Sequence, residues 1–190
     1  MSLDCYLSFG VEKEWVEKYL KYKEEFWKSE YNDLGSMKIT ALKRFLRDSK
    51  LKVEIDKSDD VAIEMNKIYD QQKLNTLDFW SLMYVNLAYS PQINWFINNT
   101  TINERYIVDE LKEKIGDGSS AGTISNIISS LKNLILKTPL GRDVNIASCE
   151  MKGNKLESIT RLKSRNITPL VVLYGLYKFA EECGDYYQFT

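Results

Sequence analysis

Between Lys132 and Arg165 the chain carries eight cations: Lys132, Lys137, Arg142, Lys152, Lys155, Arg161, Lys163 and Arg165. They face three acids, Asp143, Glu150 and Glu157. The local charge is +5 in a chain whose net charge is −1. Clustered Lys and Arg can displace counterions from a phosphate backbone. Each phosphate neutralised adds about 0.9 to the slope of log affinity against log salt. The same surplus also suits a solvated face or a protein contact, and the residue types alone leave the three readings open.

Covalent chemistry finds less support. Histidine is absent, which removes Ser-His-Asp and Cys-His mechanisms and His-type metal sites together. Asp56, Asp59 and Asp60 lie in a charged stretch without the Gly and terminal Glu of a calcium loop, so a solvated loop is expected there and no metal. The three cysteines, Cys5, Cys149 and Cys183, have no CxxC spacing and are expected to be reduced thiols. Cys183, in Glu181-Glu182-Cys183-Gly184, is the sole candidate nucleophile. A helix end capped by Gly disfavours a thiolate, so a structural role is expected. No catalytic residue and no cofactor are expected.

The elements that position the cations read as follows. Thr101-Ile102-Asn103-Glu104 matches a capping box, which predicts a helix to about Ile115. Gly116-Asp117-Gly118-Ser119-Ser120 breaks it, and a second helix is predicted over about 121–136 on the stripe Ile124, Ile127, Ile128, Leu131, Leu134, Ile135. Pro139 and Gly141 end it, and weak alternation over 144–162 around Gly153-Asn154 predicts a hairpin. Helix, turn, helix, charged hairpin is the order of a winged helix-turn-helix. Ser119, Ser120, Thr123, Ser125 and Asn126 could meet phosphates or base edges. No Lys or Arg stands in the first two turns of that second helix, which weakens direct base readout.

Upstream, Trp15, Tyr19, Tyr22 and Phe26 predict a helix over 11–31 with an aromatic core face. Ser36 is placed to cap a helix over 37–48, with Lys38, Lys43, Arg44 and Arg47 largely away from its apolar face. A strand is predicted over 51–55, so that 37–55 could form a first winged-helix-like unit. Helices follow over 61–72 and, capped by Thr76, over 77–89, where the near absence of a polar face predicts burial. Ser90-Pro91 ends that helix and a short apolar one follows. Asn98-Asn99-Thr100-Thr101 marks the expected boundary between parts 1–99 and 100–190. Thr168-Pro169 opens a last helix to about Cys183, predicted to be mostly buried.

The stretches LGSMKITALKRFLRDSKL (34–51), TLDFWSLMYVNLAYSPQINWF (76–96) and SITRLKSRNITPLVVLYGLYKFAEECGDYYQFT (158–190) resemble a bacterial family of unknown function. Its members occur alone or attached to phosphoadenosine phosphosulfate (PAPS) reductase-like proteins, near genes for DNA phosphorothioation and phage defence. The resemblance covers most of the chain but rests on hydrophobic patterns. It implies an accessory domain of such a system, with double-stranded DNA or a PAPS reductase-like protein as partner. Reductases of that kind carry Glu-Cys-Gly closely followed by His and a Ser-Gly-Gly-Lys-Asp-like phosphate loop. Here Glu182-Cys183-Gly184 is followed by Asp185-Tyr186-Tyr187, and Ser119-Ser120-Ala121-Gly122-Thr123 lacks the Lys and the preceding strand. The resemblance therefore carries no catalytic role to Cys183.

With 44% hydrophobic and 28% charged residues over 190 positions the chain can bury a core. It holds no apolar run long enough for a membrane span and no secretory signal, so a cytoplasmic protein is expected. The abrupt start and the ending at Gln188-Phe189-Thr190 are expected of a piece cut from a longer protein. The expectation is a mainly α protein with winged-helix-like units and a short β-hairpin wing. Its function would be non-catalytic: contact with DNA phosphates, or docking on a reductase-like partner without nucleic acid, with sulfur transfer through Cys183 as a third class.

Overall fold

The structure, a computed structural model, describes residues 2–52, 60–71, 74–116, 118–165 and 167–183. It is mainly helical: α1 (Lys13–Tyr22), a 3-10 turn (Lys23–Trp27), α2 (Ser36–Asp48), α3 (Asp60–Asp70), α4 (Thr76–Leu87), α5 (Pro91–Asn99), β1 (Arg105–Ile107), α6 (Val108–Ile115), α7 (Ala121–Lys137), α8 (Pro139–Arg142), β2 (Ala147–Lys152), β3 (Lys155–Arg161) and α9 (Pro169–Cys183). The strands form one antiparallel sheet in the order β1-β3-β2. Tyr106 stands opposite Ile159, Cys149 is the partner of Ile159 on the other side, and the β2–β3 hairpin turns at Gly153 with φ 58°.

α4 is the central element. Phe79, Trp80, Leu82, Met83 and Leu87 are buried, as a helix without a polar face requires. Its cap is the Asn75 side chain, which accepts from the Asp78 amide at 2.9 Å, rather than Thr76. Asn86, also buried, donates to the Ser49 carbonyl at 3.2 Å and accepts from the Tyr174 hydroxyl at 2.7 Å, so α4 holds the end of α2 and α9 together. One hydrophobic cluster runs from Tyr6 and Val11 through α4 to Leu134, Ile159 and Val171. It spans both sides of the 99/100 boundary.

Four expectations are corrected. The helix over 11–31 breaks at Lys23, where φ is 50°, and the chain turns so that Phe26 and Trp27 both pack on Tyr19, at ring centroid distances of 6.1 and 5.4 Å. The helix from Thr101 starts instead at Val108. Glu104 does not cap it, because its carboxylate receives the Tyr106 hydroxyl at 2.6 Å. Its carbonyl accepts from the Arg161 amide at 3.0 Å, so pairing with β3 claims the backbone that the cap pattern assigned to a helix. The Ile107 amide donates to Glu110 at 2.9 Å and opens α6. Ser36 is the first residue of α2, with Gly35 at the cap position. α9 is not mostly buried: Val171 and Lys178 are, whereas Leu173 is 67% exposed. The strand expected over 51–55 falls largely outside the described residues. Among the described residues no helix is long and apolar enough to cross a membrane.

Candidate nucleic-acid interface

α7 is capped by Ser120, whose Oγ accepts from the Thr123 amide at 3.2 Å. Ile127, Ile128, Leu131, Leu134 and Ile135 are its buried face. A second face is covered as well. Asn126 donates to Asp4 at 3.1 Å, and Asn133 donates to the carbonyls of Ser8 and Phe9 at 3.3 and 2.9 Å. Gly10, at φ 59°, brings the chain so close that a Cβ would sit 2.6 Å from the Ser130 carbonyl. From the third side, Gln92 on α5 donates to the Ile127 carbonyl at 2.8 Å. The helix that a groove-reading module would insert into DNA is therefore clasped along one flank by residues 4–10. Ala121, Gly122 and Ser125 of its first turns stay exposed.

The eight cations do not act as one patch. Arg161 is half-buried, and its Nη1 donates to the carbonyls of Ile97 and Thr100 at the end of α5. It clamps the end of α5, so its guanidinium is engaged within the fold rather than displayed to a phosphate as the sequence pattern suggests. Lys137 is held by Glu12 at 2.6 Å, which fastens the clasp to α7. Lys152 lies 3.8 Å from Glu157 and Arg142 lies 3.6 Å from Asp143, both on exposed side chains where such pairs are weak. Lys132 is half-buried near Cys149; burial pushes that thiol up to about 12, with the Lys132 charge pulling the other way. Lys155, Lys163 and Arg165 are exposed, and among the described residues no carboxylate stands within ion-pair distance of them. The Lys163 carbonyl accepts from Asn145 at 2.9 Å, which fixes the chain as it leaves β3.

The charge around α6 and the start of α7 opposes DNA. From 100 to 131 the sequence has Glu104, Asp109, Glu110, Glu113 and Asp117 against Arg105, Lys112 and Lys114, five acids to three bases, a net of −2. Arg105 is neutralised by Glu150 at 2.7 Å, whose carboxyl is held below its ordinary range by the hydrogen bonds from Arg105 and Ser158.

A second basic surface lies on α2. Residues 36–52 hold Lys38, Lys43, Arg44, Arg47, Lys50 and Lys52 against Asp48, again +5. Lys38 lies over the Trp15 ring at 5.3 Å and Lys43 over Trp27 at 4.9 Å. Arg44 pairs with Asp48 at 2.8 Å. Thr40, Lys43, Arg44, Arg47 and Lys52 line a concavity of about 520 Å³ together with Asp4. The signal for it was present in the sequence as a helix with basic residues at i, i+3, i+4 and few acids.

Cys183 is exposed at the end of α9, and Gly184 lies outside the described residues. Cys5 and Cys149 are half-buried, and burial pushes the Cys5 thiol up to about 11. Among the described residues no group of three Cys, Asp or Glu is arranged to hold a metal. Comparison with protein-family models, curated proteins and solved structures finds no match to this chain.

Proposed function

We propose that this chain is a non-catalytic accessory module, organised as a winged helix-turn-helix, that grips the phosphate backbone of double-stranded DNA for a PAPS reductase-like sulfur-modification or defence protein. The order α5–β1–α6–α7–β2–β3, with only the four-residue α8 between α7 and β2, and the β1-β3-β2 sheet support the winged-helix reading. The observation that carries the DNA reading is the trio Lys155, Lys163 and Arg165, exposed and, among the described residues, without ion-pair partners at the hairpin and its exit. Base readout drops out of the proposal, because the first two turns of α7, whose Ala121, Gly122 and Ser125 are exposed, carry no Lys or Arg to read base edges.

Three phosphate contacts give a salt slope of about −2.7, so affinity should fall about 40-fold between roughly 50 and 200 mM salt. Fluorescence anisotropy with a labelled duplex measures this. Lys155→Ala, Lys163→Ala and Arg165→Ala combined should weaken binding by a similar factor on unrelated sequences and flatten the slope. Absence of binding at the lowest salt would sink the reading.

The second reading is docking on a reductase-like protein without nucleic acid. It is favoured by the net −2 over 100–131 and by the absence of Lys and Arg from the first two turns of α7. A chain that ignores DNA but co-sediments with such a partner would establish it.

A further inference from the structure

From one side α9 is an ordinary packed helix. Val171 is buried, Tyr174 reaches Asn86 on α4, and Lys178 is folded under, its ammonium held by Glu181 and Glu182 at 2.6 Å each. The other side is different. Leu170, Val172, Leu173, Leu176, Tyr177 and Phe179 are each 49 to 67% exposed. Between Pro169 and Tyr177 there is no charged residue. At 100° per residue these six side chains cover the half of the helix opposite Val171, Tyr174 and Lys178, with Leu173 and Leu176 at the middle of the arc.

Such an area is too large to be incidental. These fractions correspond to roughly 650 Å² of contiguous apolar surface, above the upper end of what a typical monomer shows. A standard interface removes about 800 Å² from each partner. Ile167, 41% exposed just before the helix, extends the surface towards that figure.

We infer that the outer face of α9 is a homodimer interface, in which two copies of this chain pack α9 against α9 about a twofold axis. The self-complementarity is in the sequence order. With the helices antiparallel, Leu173 and Leu176 of each copy meet near the axis, and Leu170 of one copy lies towards Phe179 of the other. An uncharged face leaves no buried carboxylate or ammonium without a partner when it meets itself. The charged end of the helix is already self-paired through Lys178, so dimerisation need not break an ion pair. This inference does not depend on DNA binding.

Sedimentation velocity of the full chain tests it. The expected result is a species of twice the 22.1 kDa chain mass at ~100 µM, dissociating on dilution. Leu173→Asp with Leu176→Asp, both on exposed side chains, should keep the helical circular dichroism and the melting transition of the monomer. The pair should weaken association at least about a hundredfold. Leu173→Cys in a Cys183→Ser background should cross-link into dimers under mild oxidation. A wild-type chain that stays monomeric at that concentration overturns the inference. So does a dimer that survives the double substitution or fails to cross-link through position 173.

Discussion

Arg161 separates a structural reading from a nucleic-acid reading most sharply. Its guanidinium holds two carbonyls, Ile97 and Thr100, at the end of α5, where the last helical carbonyls have no partner within the helix. Thr100 is buried, so water does not replace both bonds when the arginine goes. Hydrogen bonds to a charged group contribute about 1.5–3 kcal/mol each. Taking the low end for a half-buried side chain, Arg161→Ala should destabilise the fold by about 3 kcal/mol. For a chain of this length that lowers the melting midpoint by about 6–12 °C. Arg161→Lys keeps the charge but not the planar fork, and should lose about half as much. Urea unfolding of the three proteins gives the stability change, and a parallel salt titration against duplex DNA gives the slope. The expected pattern is a lower urea midpoint with an unchanged slope. An unchanged midpoint together with a slope reduced by about one would refute the reasoning and return Arg161 to the phosphate contacts.

Three further outcomes are expected. Gly141→Ala should cost at least about 3 kcal/mol, since a Cβ there would overlap the backbone carbonyl of Ile135, which cannot move aside; urea unfolding would show it, and a loss under about 1 kcal/mol would contradict the packing. At pH 8 a disulfide-exchange dye should titrate one fast thiol, Cys183, because Cys5 and Cys149 are half-buried with pKa values pushed up to about 11 and about 12; two or three fast equivalents would be inconsistent. These two thiols, and Tyr19, which burial pushes up to about 12, hold their protons more tightly folded than unfolded. Their contribution is complete below about pH 9 and is lost as pH rises through the folded values, so the urea midpoint should fall between pH 8.5 and 11 on this linkage; a flat or rising midpoint would reject it.

Much of the fold was legible because its signals are local. The break over 116–120 and the stripe Ile124–Ile135 define α7 within one residue, and Gly153 marks the hairpin tip. The failures share a cause: a distant segment outbid a local pattern. Glu104 matches a cap, yet β3, more than fifty residues later, pairs with its backbone. Arg161 counts as a cation in any local sum, and only the fold brings it under the end of α5. α9 reads as buried because its composition is apolar, and composition cannot say that α4 covers only one side of it. The α2 surface was visible in its cations but not in its neighbour Asp4, which the chain start supplies.

The clasp on α7 also sets an order of events during synthesis. Its contacts join residues 122 to 125 positions apart: Asp4 to Asn126, Ser8 and Phe9 to Asn133, Glu12 to Lys137. At about 5–20 residues per second, roughly 6–25 s separate the emergence of the first residues from that of the helix they must hold. Through that interval Tyr6 and Val11, fully buried in the finished protein, have only part of their eventual surroundings. Residues 4–12 are made before α7 and settle only once it has emerged, which leaves that interval open to chaperones and to aggregation.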